Sequence, residues 1–136
     1  MRKGIILCLA CLLMGNALAD ETKDIFKGKL FPPNVVLEHR SELGISREQF
    51  TEIRATVVQT QTAIAEHEWD MQEAYTKVLQ LLDERPLDEQ IVVNHVNDVL
   101  LAENQVKILQ MVMLVKIRNL LTDEQIAYLE ANWSTK

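Results

Sequence analysis

The chain has 136 residues, 48% of them hydrophobic and only 5% aromatic, and its 14 basic and 20 acidic side chains give a net charge of −6. That balance argues against a surface built for nucleic acid or for anionic lipid. The length suits one domain after any leader, and four glycines are too few to assemble a phosphate-cradling loop or a dinucleotide fingerprint.

Residues 1–19 read as an export leader: Arg2 and Lys3 precede the apolar run from Ile5 to Met14, and Ala17-Leu18-Ala19 stands ahead of Asp20. Cleavage after Ala19 places the protein in the periplasm, leaves 117 of the 136 residues, and takes the net charge from −6 to −8 because Arg2 and Lys3 depart. Cys11 after Leu9-Ala10 offers lipid attachment as an alternative, weakened by Cys8 three positions before it and by the short apolar stretch ahead. Both cysteines lie in the leader, so the mature chain is expected to hold no disulfide, no thiolate nucleophile and no soft thiolate metal site. Residues 20–31 carry charges without apolar periodicity and predict a mobile N-terminal arm. The remainder, 32–136, reads as a single α-helical domain.

Pro32-Pro33 suits a helix start, Asn34 to Leu43 form a short first helix, and Gly44 can end it in the left-handed region. The next six residues, Ile45-Ser46-Arg47-Glu48-Gln49-Phe50, have a counterpart near the other end, Leu121-Thr122-Asp123-Glu124-Gln125-Ile126. Each is a helix-start signal. The Ser46 or Thr122 hydroxyl can accept from the backbone N–H three residues on, while Gln49 or Gln125 reaches back to the cap's own N–H. Ile45 with Phe50, and Leu121 with Ile126, fit the apolar staple that fixes the entry angle of the chain.

From Arg47 to about Leu82 no Pro or Gly intervenes, and Phe50, Ile53, Val57, Thr60, Ile64, His67, Met71, Ala74, Val78 and Leu81 alternate in steps of three and four. A helix of that length, roughly 50 Å at 1.5 Å per residue, needs a partner along it. Asp83-Glu84-Arg85-Pro86-Leu87 makes a turn, Asp88 can cap, and a further helix runs to about Leu120 with Val92, His95, Val99, Ala102, Val106, Leu109, Met113, Ile117 and Leu120 facing inward. The short connection forces an antiparallel hairpin. A last helix is predicted from Asp123 to about Trp133. Between Ile108 and Leu121, ten of fourteen residues are apolar, more than one neighbouring helix can cover. The first helix, the last helix and a second subunit are the covers expected, so the sequence predicts an all-α homodimer of long hairpins. That apolar segment is too short to span a bilayer and is interrupted by Gln110, Lys116 and Arg118.

Two such motifs around a helical hairpin behind a leader give the chain its likeness. It resembles the periplasmic LTxxQ proteins, which include the CpxP- and Spy-like stress chaperones and, more distantly, the heavy-metal-responsive proteins of the ZraP and CnrX type. Leu121 to Gln125 match the motif in full, Ile45 to Gln49 as a conservative variant, and the likeness spans roughly residues 31–129. The resemblance implies a dimeric, noncatalytic protein of envelope stress that binds unfolded clients or modulates an envelope sensor. The chain departs from the metal-binding members by lacking a His-x-x-x-His pair in its first helix, where only His39 stands, and from Spy by its acidity.

Three candidate chemistries follow from the residues. For catalysis there is little: His39, His67 and His95 are the only histidines, and no nucleophile elbow or paired acid and base stands out. For metal, His67 and Met71 lie one helical turn apart with Glu66, Glu68 and Asp70 around them, so a nitrogen and a thioether could meet one zinc, copper or nickel ion. Aligning residue 50 with residue 120 sets His67 opposite Glu103, which supports instead a hydrogen-bonded interior histidine. No cofactor is required by either reading. For protein binding, Thr62, Ala65, Trp69, Gln72 and Thr76 form a second, uncharged stripe, with Glu68 and Asp70 flanking Trp69. Burial of Trp69 between two subunits is the competing account. Arg40, Arg47 and Arg54 recur every seven residues at one end and could steer a client or sensor domain.

Overall fold

The computed structural model describes residues 26–133, and every regular element among them is α-helix. Helix α1 spans Pro33–Glu38, α2 Arg40–Leu43, α3 Arg47–Leu81, α4 Glu89–Leu120 and α5 Asp123–Trp133. Helices α3 and α4 pack along one another as the expected antiparallel hairpin, with the short helices gathered at its open end. The leader, its cleavage point at Ala19, both cysteines and the first part of the arm lie outside the described residues.

Local chemistry accounts for the boundaries. Pro33 takes the first helical position of α1, where its missing N–H costs nothing. Gly44 ends α2 in the left-handed region at φ 61°. Asp88 opens α4 by accepting from the Ile91 N–H at 3.1 Å. The single first helix predicted over Asn34 to Leu43 is divided in two at His39, whose dihedrals of −97° and 16° leave the α region. Its ring stands edge-on to Tyr128 of α5, with centroids 6.0 Å apart.

A second correction concerns the arm, whose fixed part begins before residue 32. Phe26 to Leu30 form a turn with Gly28 at φ 80°, and Arg118 donates to the Lys29 carbonyl at 2.8 Å while its guanidinium lies 5.7 Å from the centre of the Phe31 ring. Phe31 is fully buried and meets Trp133 edge-on at 6.0 Å. An aromatic two residues from a charged tract has no period to betray it, and only the cavity left by α4 and α5 gives it a place.

The main core is one cluster at the open end of the hairpin: Phe31, Val35, Val36, Leu43, Ile53, Ile117, Leu121 and Leu129. Burying each large apolar side chain contributes about 1.5–3 kcal/mol. Toward the closed end, Ala74 and Val99 are the buried apolar residues. The predicted inner faces hold, since the seam positions of α3 and α4 from residue 53 onward are buried or half-buried throughout. Helices α1 and α5 cover the lower part of the apolar run in α4, but Ile108, Val112 and Val115 remain 41–53% exposed. No helix among the described residues is long and apolar enough to cross a membrane.

Candidate functional site

Both six-residue motifs form complete capping boxes. The Gln49 N–H donates to the Ser46 hydroxyl at 3.0 Å and the Ser46 N–H to Gln49 Oε1 at 3.0 Å. The Gln125 N–H donates to Thr122 Oγ1 at 3.2 Å and the Thr122 N–H to Gln125 Oε1 at 2.9 Å. What the spacing alone does not reveal is that the two boxes touch. Gln49 Nε2 donates to Gln125 Oε1 at 2.8 Å and to the Leu120 carbonyl at 2.8 Å, and Gln125 Nε2 donates to Gln49 Oε1 at 3.2 Å and to the Leu43 carbonyl at 3.0 Å. Each amide thereby uses two donors and two acceptor positions, its whole capacity. Gln125 is the buried polar residue of the core. Ile45, Leu121 and Ile126 pack there too, whereas Phe50 remains partly exposed. The repeat is thus a clamp joining the starts of α3 and α5 to the ends of α2 and α4. Legs of similar length, 35 and 32 residues, were the available signal, since they return Gln125 to the end of the rod where Gln49 begins.

The uncharged stripe of α3 is exposed, as its spacing predicts. Trp69 is 76% exposed and, with Thr62 and Ala65, lines a shallow open depression completed by Gln61, Glu66 and Asp70. Residues 62, 65, 69, 72 and 76 all lie on solvent, turned away from α4. Among the described residues Trp69 therefore meets no covering element. Arg40, Arg47 and Arg54 are exposed as well, but they cluster at the core end. Fifteen residues of α3 separate Arg54 from Trp69, about 22 Å along the helix, so the arginines and the tryptophan are separate features.

His67 and Met71 are half-buried on the seam. Nδ1 of His67 stands 3.9 Å from Asp70 Oδ2, beyond hydrogen-bond reach. Among the described residues no group of three or more His, Cys, Asp or Glu side chains converges as a metal-binding set. Glu103 takes a hydrogen bond from further along α3: the Tyr75 hydroxyl donates to its Oε1 at 2.6 Å. That phenol stands two helical turns on from His67. A sister pair occurs on α4, where His95 Nδ1 lies 3.6 Å from Asp98 Oδ2; that atom is buried and has no hydrogen-bond partner among the described residues.

No family model matches the chain, and comparison with curated proteins and with solved structures gives no match. The likeness to LTxxQ proteins rests on the two motifs, the hairpin and the expected leader.

Proposed function

We propose that the protein is a noncatalytic, periplasmic stress protein of LTxxQ type that binds unfolded clients or an envelope sensor through the exposed face of α3. The observation that carries this reading is Trp69, a large aromatic 76% exposed on a long helix, with uncharged neighbours and a border of acids. Such a side chain gives adaptable apolar contact, and flanking charge opposes self-aggregation. The apolar residues left open on α4 support pairing with a second copy, which keeps the α3 face available. In the test, protein expressed from the whole sequence is mixed, without added metal, with a client made to aggregate by heat or dilution. Suppression at stoichiometric ratios is expected, and Trp69→Ala weakens it; an unchanged aggregation rate at several-fold excess removes the reading.

A second reading is favoured by the nearness of His67 Nδ1 to Asp70, with Met71 one turn away. Here the protein is a metal-responsive sensor or scavenger for zinc, copper or nickel. Calorimetric titration should show divalent-ion binding that His67→Ala abolishes, and a flat titration of the unaltered protein excludes it.

A further inference from the structure

The solvent face of α3 has a period of its own. From Val58 to Leu79, alternating steps of four and three residues pass through Thr62, Ala65, Trp69, Gln72 and Thr76, all exposed and none charged. This is the spacing of a coiled-coil seam, sustained for about three heptads and some 32 Å of helix. It is distinct from the inner seam that meets α4. Val58, Trp69 and Leu79 are 53%, 76% and 62% exposed, large side chains placed as knobs with no facing helix among the described residues. The two threonines do not interrupt it: Thr62 donates its hydroxyl to the Val58 carbonyl at 3.0 Å and Thr76 to the Gln72 carbonyl at 2.9 Å. Neither brings an unmet donor to an apolar partner.

The rims identify the partner. The positions bordering this seam from 59 to 80 are Gln59, Gln61, Glu66, Glu68, Glu73, Tyr75 and Gln80. None is basic. Glu73 is bridged by Lys77 at 3.2 Å, but that pair is exposed and neutralises little. Rim positions of two paired helices face each other, so stacking this seam on a second copy, in either direction, sets glutamate against glutamate. A helix with lysine or arginine on its rims meets the same glutamates favourably. We infer that the outer face of α3 docks a basic amphipathic helix of another protein, laid along residues 58–79 with an apolar side chain over Trp69. This names the partner chemistry of the binding face proposed above and rests on that proposal.

The probe is a synthetic helical peptide of about three heptads, free of tryptophan, with leucine and alanine on its seam and lysine on its rims. A control peptide carries glutamate on the rims. Trp69 fluorescence is followed in protein carrying Trp133→Phe, and calorimetry on unaltered protein gives the same answer if that variant folds poorly. The lysine peptide should bind with a blue shift, weaken several-fold between low and high salt, and bind on the order of tenfold more tightly than the glutamate peptide. Trp69→Ala should lower its affinity at least about tenfold, and the combined change Glu66→Lys, Glu68→Lys, Glu73→Lys should reverse the preference. Equal binding of both peptides, or no binding of either, overturns the inference. So does a blue shift that grows with protein concentration alone, which assigns the face to a second copy. A protein that suppresses client aggregation yet ignores both peptides keeps the chaperone reading and loses this one.

Discussion

Gln125 illustrates how one amide can hold several elements in place. Its side chain, and that of Gln49, meet backbone from α2, α4 and both helix starts with no donor or acceptor left over. Converting Gln125 to Glu keeps the shape but removes both N–H donors, and sets a carboxylate against Gln49 Oε1 and the Leu43 carbonyl. The loss of a buried partner costs about 1–3 kcal/mol, more when charge is involved. Gln125→Glu should therefore lower the denaturant midpoint by the equivalent of roughly 3 kcal/mol at neutral pH, and an unchanged midpoint would show the pair to be dispensable. Each capping box is legible at its own place because Ser46 or Thr122 and the glutamine lie within one helical turn. Their union is not, because it joins residues 76 apart in the chain. The bond from Tyr75 to Glu103 was unread for a similar reason: periodicity gives facing positions but not which long side chain reaches farthest.

At the level of elements, α3, α4 and α5 were readable nearly to the residue. Caps at Ser46, Asp88 and Thr122 supply start signals, the absence of Gly and Pro supplies continuity, and the three-four spacing supplies the face. The division of α1 from α2 was not readable, because His39 is neither a breaker nor a cap and its departure from helical dihedrals accompanies a contact with α5. Helix α4 bears exposed apolar side chains on the side away from α3, with Leu101 and Ile108 62% and 53% exposed. That face has no acidic rim like that of α3, since Asn97, Asn104 and Lys107 are its polar interruptions. If it is the contact between two copies, Ile108→Glu should convert dimer to monomer in sedimentation equilibrium without loss of helical signal. A monomeric unaltered protein at high micromolar concentration would remove self-association from the account.

Across the whole molecule, buried side chains are unevenly distributed. Eight core residues, the glutamine pair and the Arg118 contacts lie at the open end, whereas Ala74 and Val99 are what is buried farther out. Local opening free energy follows such density. Native-state hydrogen exchange should show the slowest amides near residues 49–57 and 113–121, a gradual decline along both legs, and the fastest helical amides next to the 82–88 turn. Uniform protection along the legs would mean that another copy or partner braces the far end. The general architecture was legible because a rod of two amphipathic helices is specified by period and length. The off-centre core was not, because the contribution of Phe31 comes from a charged, aperiodic tract.

The off-centre core has a consequence for how this protein tolerates change. Substitutions near the root, where three short helices and two long ones interlock, are expected to compromise folding. The outer reaches of both legs carry surface that can be rewritten with little effect on whether the chain folds. Selection or a designer therefore has latitude to alter the surface there while leaving intact the knot that keeps the chain in shape.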